Sequence, residues 1–318
     1  MEGFFHFDYP EYELIFCVAE ETDPAVPAIR EILARHPRVP ARLFIGEARV
    51  GPNPKINNML RGYEAADHDW ILISDSNVRV GNDYLRRVAE PFADDVGIVT
   101  AVVSGQFAAT TGAWLESVFL NTFYARFMML SKRVGVPIVV GKSMLFRKSD
   151  ANRFGGIANL GRYLAEDYMA GQAMKLLGLR VEIMKIPIVQ PIGSYTVADF
   201  WARHIRWGRI RKSQAPQLFF LEPLISCWIA GLIGSVALTA RFDVSFRYAL
   251  LFHLMIWGGC DLWLMSLLGT RIKPKLVAYW LLRETLHLPL WAHIASGSHV
   301  HWRGRKLTLA RGGILRVQ

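Results

Sequence analysis

The C-terminal third of the sequence contains long apolar segments that follow one another closely. Residues 224–240 carry no charged side chain, and residues 248–268 carry only Asp261 and one histidine. A helix that crosses a bilayer needs about 20 mostly apolar residues, so we expect both segments to span a membrane. The third segment, residues 276–294, is interrupted by Arg283, Glu284, His287 and Pro289. It is predicted to lie in the membrane interface or to re-enter the membrane.

Two polar features of this region need an explanation. A carboxylate inside a membrane helix is costly, so Asp261 is predicted to pair with His253 or a tryptophan N–H group, in preference to the head group of a lipid. His299 and His301 are close enough in sequence to suggest a metal site, but we interpret them as residues of the membrane interface.

Upstream of these segments, short apolar runs alternate with helical patterns. The predicted strands are residues 12–19, 41–45, 70–74, 96–103, 137–147 and 181–189, and the predicted helices are residues 24–35, 55–66, 83–91, 114–132 and 160–177. This alternation predicts an α/β fold, a doubly wound parallel sheet with helices on both faces.

The net charge of +10 is concentrated at the borders of the apolar segments, in residues 203–212, 271–275 and 303–311. Positive residues are enriched on the cytoplasmic side of membrane proteins, so this distribution predicts a multi-pass membrane protein whose N-terminal domain is cytoplasmic. The short loops fit a bacterial inner membrane, and a Golgi membrane remains an alternative. No nucleic-acid-binding motif accompanies the charge, and nucleic acid is not a predicted partner.

Acidic residues occur where ligands bind in doubly wound sheets, at the carboxyl ends of strands. Asp75 directly follows the strand of residues 70–74, where an acid suits a hard cation and a diphosphate, or simply caps a turn. Asp23 precedes Pro24 and either binds a ligand or caps the next helix. Asp167 lies in a helical pattern and would act as a general base if it faced a cleft.

The run Arg203-His-Ile-Arg206-Trp207 precedes the first apolar segment. Arginine and tryptophan at helical spacing are typical of a helix that lies in a bilayer interface. A positively charged flank that only orients the next membrane segment would have the same composition.

Taken in order, Asp23, Asp75, Asp167 and the run ending in Trp207 resemble the D, D, D, (Q/R)xxRW signature of the ceramide glucosyltransferases, which are membrane-bound glycosyltransferases of the GT-A fold. Further matching stretches are Asp8-Tyr-Pro-Glu-Tyr-Glu, Ala41-Arg-Leu-Phe-Ile-Gly, Asn53-Pro-Lys-Ile-Asn-Asn, Leu221-Glu-Pro-Leu and Trp302-Arg-Gly-Arg. The resemblance covers nearly the whole chain. The expected domains are a GT-A-type, Rossmann-like catalytic domain (1–198), an interfacial helix (199–216), a membrane region (217–297) and a basic cytoplasmic tail (298–318).

The resemblance implies inverting transfer of glucose from UDP-glucose to the primary hydroxyl of ceramide, a lipid held in the bilayer. It implies that Asp167 is the general base, that Asp23 lies near the uracil and ribose, and that Asp75 binds the diphosphate with Mg²⁺ or Mn²⁺. The other residues it assigns to substrate binding are Lys55, Arg203, Arg206 and Trp207.

Two departures from the family pattern leave alternatives open. Asn77 stands where a DxD motif has its second carboxylate. The resemblance also implies a strand that opens the nucleotide fold, which we expect to be absent before Met1 because the start codon is misassigned or the chain is truncated. If the chain is truncated, we expect an open sheet edge and impaired binding of uridine. The alternatives are transfer of an N-acetylhexosamine from its UDP donor to a hopanoid polyol, and a non-catalytic lipid-binding relative.

Overall fold

A computed structural model describes residues 1–136, 138–302 and 305–317. Pro137, Arg303, Gly304 and Gln318 lie outside the described residues, and with them part of the predicted basic tail. The chain divides into two compact units. The first unit comprises Met1–Val102 and Met128–Gln190, and the second comprises Val103–Phe127 and Pro191–Gln318.

Strands and helices are mixed, as an α/β sequence pattern predicts. The strands are β1 (Leu14–Val18), β2 (Ala41–Ile45), β3 (Trp70–Ser74), β4 (Val96–Thr100), β5 (Val103–Ala108), β6 (Ser143–Arg147), β7 (Arg180–Ile183), β8 (Ile188–Gly193), β9 (His299–Trp302), β10 (Arg305–Leu309) and β11 (Leu315–Val317). The α-helices are α1 (Ala25–Arg35), α2 (Pro54–Ala65), α3 (Tyr84–Ala89), α4 (Thr111–Phe119), α5 (Ala125–Arg133), α6 (Lys148–Asn152), α7 (Glu166–Leu176), α8 (Val197–Gln214), α9 (Pro216–Leu221), α10 (Cys227–Phe242), α11 (Phe246–Leu267) and α12 (Pro274–Ala295).

The first unit contains a parallel pair, β1 with β2, and a four-stranded sheet in the order β3-β6-β4-β7. Within the described residues, no strand pairing joins the two. Its core lies between the four-stranded sheet and helices α2 and α7, where Ile56, Ile98 and Met174 are fully buried. Burying a side chain of this size contributes about 1.5–3 kcal/mol.

The prediction of an all-parallel sheet is wrong at β6. Strand β6 is antiparallel to both of its neighbours, β3 and β4, whereas β4 and β7 are parallel. The first residue of β6, Ser143, lies opposite Ser74, the last residue of β3. The chain therefore reaches the sheet at the carboxyl edge of β3 and can continue only in the opposite direction. The loop before β6 is consequently placed beside Asp75.

In the second unit, helix α8 packs against α4 and α12. The close approach of α8 to α12 depends on Gly208, since a Cβ at this position would collide with Ile294. The helix predicted over residues 114–132 is interrupted by a π-helical turn, Leu120–Tyr124, that joins α4 to α5. Such turns insert one extra residue into a helix and shift the side chains that follow.

The apolar segments do not all form straight helices. Among the described residues, α11 is the one single helix long and apolar enough to cross a membrane. The first predicted span is bent by 62° between Pro216–Ile225 and Cys227–Phe242, and the pair counts as a second span only if it crosses as one unit. Helix α12 carries buried Arg283, Glu284 and His287, and its placement in a membrane interface stays a prediction.

Asp261 lies on α11 and is completely buried. Trp280 Nε1 donates a hydrogen bond to its Oδ2 atom at 2.9 Å, which confirms the predicted tryptophan partner. Arg126 forms an ion pair with Oδ1 and was not foreseen. The predicted alternative, His253, is wrong, since its Nε2 atom lies 3.0 Å from the carbonyl oxygen of Cys227.

The segment predicted as a basic tail contains a three-stranded antiparallel sheet in the order β11-β10-β9. Its register pairs Leu307 with Val300 on one side and with Val317 on the other. The side chain of His299 lies 3.1 Å from Thr308 Oγ1 in this sheet. Alternating residues such as Leu307 and Leu309, both buried, are the sequence signal for these strands.

Candidate active site

Asp75 is held by lysine side chains on both carboxylate oxygens. Its Oδ1 atom lies 3.0 Å from Lys55 Nζ, and its Oδ2 atom lies 3.2 Å from Lys142 Nζ. Lys55 is in the first turn of α2, which Asn53 caps by accepting a hydrogen bond from the Lys55 N–H at 2.8 Å. The strand end of β3 and the start of α2 are therefore joined through one ion pair.

Lys55 also connects these elements to α7. Its Nζ atom lies 3.0 Å from Glu166 Oε1 and donates to the Gly141 carbonyl at 3.1 Å. The other oxygen of Glu166 accepts a hydrogen bond from Asn53 Nδ2 at 3.2 Å. Glu166 is buried, and a buried carboxylate needs partners that compensate its charge. Lys55 and the side-chain amide of Asn53 provide them.

Asp167 is the residue that follows Glu166 and is the predicted general base. Its Oδ2 atom accepts a hydrogen bond from the Gly141 N–H and its Oδ1 atom from the Tyr168 N–H, both at 2.8 Å. Burial, followed by the neighbouring Glu166 charge, raises the pKa of Asp167 to about 6 against the opposing effects of Lys55 and the two backbone hydrogen bonds. A carboxylate with this pKa is ionised at neutral pH and is a better proton acceptor than an exposed aspartate.

The charges of the group around Asp75 are fixed by their mutual contacts. Burial acts to raise the pKa of Asp75, but the ammonium groups of Lys55 and Lys142 outweigh it and hold the pKa below its usual range. Burial acts to lower the pKa of Lys55, but the charges of Glu166, Asp75 and Asp167 raise it above its usual range. Both partners are therefore ionised at neutral pH.

Lys142 is a member of this group that sequence reasoning missed. It is buried, and its Nζ atom donates to Asn77 Oδ1 at 2.7 Å in addition to contacting Asp75. The signal was present, because a lysine stands in the middle of the mostly apolar run of residues 137–147. A lysine is rarely buried without a partner of opposite charge, which is reason to look for an acid nearby.

Asp23 is not part of this group. It is exposed, and its Oδ1 atom accepts a hydrogen bond from the Ala25 N–H at 2.8 Å, directly before helix α1. Within the described residues, it forms no hydrogen bond or ion pair with Lys55, Asp75 or Asp167. The role predicted for Asp23 near the uracil stays a prediction.

The second unit contains the Arg203–Trp207 motif on α8, where it is anchored by Glu116 of α4. Glu116 is completely buried; its Oε1 atom lies 3.0 Å from Arg203 Nε and its Oε2 atom 2.7 Å from His204 Nε2. The start of α8 is fixed by a capping box between Thr196 and Asp199. Sequence reasoning missed Glu116, because an acid in a predicted helix gives no signal of a partner on a distant helix.

The side chains of the motif are packed against one another. The Arg203 guanidinium lies 4.1 Å from the ring centroid of Trp207, within the range of a cation–π contact. Arg206 is half-buried, and burial, followed by the charge of Arg203, lowers its pKa. These contacts orient the motif, and its predicted role in substrate binding stays a prediction.

The cations that follow the motif are also engaged within the second unit. Arg209 donates to the His299 carbonyl at 2.6 Å, and Lys212 donates to the Gly297 carbonyl at 2.9 Å. Arg211 forms a two-point contact with Glu222 at 2.7 and 3.2 Å. Contacts with the protein thus account for these charges, and the interfacial placement of residues 199–216 stays a prediction.

Comparison with known proteins identifies the family to which the chain belongs. The chain matches the family Glycosyl transferase family 21 over residues 1–315. It is 31% identical over 323 residues to ceramide glucosyltransferase 1 of Caenorhabditis elegans, covering 100% of this chain and 69% of that protein. It is 30% identical over 319 residues to ceramide glucosyltransferase 3 of the same species, covering 98% of this chain and 70% of that protein. Ceramide glucosyltransferase of Komagataella phaffii is 28% identical over 396 residues, which is 96% of this chain and 78% of that protein.

These matches confirm the family resemblance predicted from the signature residues. The chain is a glycosyltransferase. It belongs to glycosyl transferase family 21.

Proposed function

We propose that the protein transfers glucose from UDP-glucose to the primary hydroxyl of ceramide, with inversion at the sugar C1, to give glucosylceramide. The observation that carries this proposal is the arrangement of Asp167 beside the Lys55–Asp75–Lys142 group. It combines a proton acceptor with cationic groups suited to a diphosphate. The names of the similar proteins support the same sugar and the same acceptor.

The proposed reaction is a single displacement. The acceptor oxygen forms a bond to C1 of the glucose while the bond from C1 to the diphosphate oxygen breaks. The proton of the acceptor hydroxyl passes to Asp167, and UDP leaves with the electron pair of the broken bond. Lys55 and Lys142 stabilise the negative charge that develops on the leaving diphosphate. In this proposal the first unit belongs to a GT-A-type domain, with the predicted boundaries 1–198.

The Mg²⁺ or Mn²⁺ predicted at Asp75 stays a prediction, and the donor atoms present do not fit it well. Each carboxylate oxygen of Asp75 already faces an ammonium group, and the Asn77 side-chain oxygen accepts from Lys142. Among the described residues, the one group of three clustered candidate ligands is Glu2, His6 and His36, which does not include Asp75. We therefore derive no step of the reaction through a metal ion.

We further propose that the enzyme is a multi-pass membrane protein whose catalytic domain faces the cytoplasm. Helix α11 is long and apolar enough to cross a bilayer, and the bent pair that ends in α10 is a second candidate span. Ceramide would reach the enzyme from the bilayer. The cationic residues 271–275, which follow α11, support a cytoplasmic placement of that end of the helix. The predicted bacterial inner membrane remains the expected location.

Substrate panels test the proposed function directly. The full chain, purified in lipid nanodiscs, is incubated with UDP-glucose or UDP-N-acetylglucosamine and with either ceramide or a hopanoid polyol. We expect glucosylceramide as the main product. Preferred transfer of N-acetylglucosamine to the hopanoid would replace the proposed substrates. No transfer to either acceptor by the folded protein would favour a lipid-binding role.

The pKa of Asp167 predicts how the activity depends on pH. The base must be ionised to accept a proton, and its pKa is raised to about 6 by burial and by Glu166. We therefore expect kcat/KM to be constant above about pH 7 and to fall tenfold per pH unit well below pH 6, since kcat/KM reports ionisation of the free enzyme. The profile is measured between pH 5 and pH 8 at constant ionic strength, and thermal unfolding is followed over the same range. A rate that stayed constant down to pH 5 would contradict this assignment.

A further inference from the structure

Lys142 occupies a position between two oxygens of the Asp75-Ser-Asn77 turn. Its Nζ atom lies 3.2 Å from Asp75 Oδ2 and donates to Asn77 Oδ1 at 2.7 Å. These are the two side chains that a DxD motif would direct toward a metal ion. In this chain they converge on an ammonium group that is covalently part of the protein.

The backbone around Lys142 holds it in this position. The neighbouring residue Ser143 is completely buried, begins β6 and pairs in register with Ser74, and its hydroxyl lies 2.7 Å from that of Tyr84. On the other side, Gly141 leaves space for Lys55, because a Cβ at this position would lie only 2.5 Å from Lys55 Nζ. The loop thus brings two ammonium groups to the same carboxylate, one on each oxygen.

The two ammonium groups that contact Asp75 disfavour a divalent cation at the same place. Such an ion would share one carboxylate with two ammonium groups that contact its oxygens, and it would be repelled by both. A diphosphate is instead attracted by both ammonium groups. Lysine binds phosphate as a point charge, so Lys55 and Lys142 can attract a diphosphate while they keep their contacts with Asp75.

We propose that Lys142 takes the place of a divalent metal ion in binding the diphosphate of the donor. The protein then binds its nucleotide, and catalyses transfer, without added divalent cation. Lys55 provides the second positive charge. This inference rests on the proposed function only in that the donor is a nucleoside diphosphate sugar.

Calorimetric titration of the full chain with UDP, in nanodiscs, tests the inference. For the wild-type protein, we expect Kd in EDTA to be the same as with Mg²⁺ or Mn²⁺ to within about threefold, which is less than the tenfold that corresponds to one charged contact. Transfer activity should likewise persist in EDTA. The wild-type comparison requires no substitution and is therefore independent of any effect on folding.

Substitutions then test whether Lys142 is the residue that allows UDP to bind without a divalent cation. Lys142→Met should weaken UDP binding in EDTA by about 10- to 100-fold, the range expected for removal of one hydrogen bond to a charged group. Added Mn²⁺ should restore part of the affinity, because the oxygens of Asp75 and Asn77 are released. Lys142→Arg, which keeps the charge, should bind UDP in EDTA. The matched control is Lys185→Met, which removes a surface lysine of the first unit that pairs with Glu90, and it should leave Kd unchanged.

The outcomes separate this inference from the proposed function. UDP binding by the wild-type protein that requires Mg²⁺ or Mn²⁺ would overturn the role of Lys142 and leave the proposed donor in place. A folded Lys142→Met protein that bound UDP in EDTA as tightly as the wild type would overturn it as well. A folded wild-type protein that bound no UDP in either buffer would contradict both the inference and the proposed donor.

Discussion

Asp167→Asn is expected to lower kcat by about 100- to 10,000-fold, the contribution usual for a general base. Asparagine has nearly the same shape but cannot take a proton from the acceptor hydroxyl. The effect should fall mainly on kcat, and Kd for UDP should change less, because the hydrogen bonds of the Asp167 side chain go to the backbone N–H groups of Gly141 and Tyr168. Steady-state kinetics with UDP-glucose and ceramide give kcat, and calorimetry gives Kd.

The control for Asp167→Asn must separate chemistry from folding. Both oxygens of Asp167 accept backbone hydrogen bonds, so the amide leaves one N–H without an acceptor, which costs about 1–3 kcal/mol. Thermal unfolding of the variant shows whether the fold tolerates this. Asp95→Asn makes the same chemical change at an exposed ion pair with Arg180 and should leave kcat unaltered. If Asp167→Asn kept kcat within tenfold of the wild type, Asp167 would not be the base.

The sequence pattern predicted the elements whose signals are local. Strands β2 and β3 have the predicted bounds, and helix α1 agrees to within one residue. These elements are set by short apolar runs, by helical periodicity and by a proline near the first turn, and all of these act over a few residues. Even the tryptophan partner of Asp261 was foreseen, because a carboxylate in an apolar helix needs a hydrogen-bond donor.

The parts that were not predicted depend on contacts between residues that are distant in sequence. The direction of β6 follows from where the chain returns to the sheet, and no local pattern of Ser143–Arg147 differs between a parallel and an antiparallel strand. The partners of Lys142 and Glu116 are 65 to 88 residues away along the chain. The family signature identified Asp75, Asp167 and the Arg203–Trp207 motif. It contains neither Lys142, which contacts Asp75, nor Glu116, which anchors the motif.

Glu116→Leu is expected to lower the free energy of unfolding by about 3–5 kcal/mol, the usual effect of removing one partner from a buried ion pair. Leucine fills a similar volume but leaves Arg203, which is 15% exposed, without its carboxylate. It also removes the acceptor for His204, whose pKa is lowered by burial so that the ring is neutral and donates from Nε2. Denaturant titration of the full chain in a mild detergent measures this loss in the free energy of unfolding.

Glu116→Gln distinguishes a role in orienting the motif from a role in stability alone. Glutamine can still accept from His204 but no longer neutralises Arg203, so we expect a smaller loss of stability and a reorientation of the Arg203 side chain. The matched comparison is Glu222→Gln, which weakens the contact with Arg211 on the same helix but outside the Arg203–Trp207 motif. If Glu116 positions the motif, transfer activity falls in Glu116→Gln and is retained in Glu222→Gln at equal stability. Equal activity of the two variants would restrict Glu116 to holding α4 against α8.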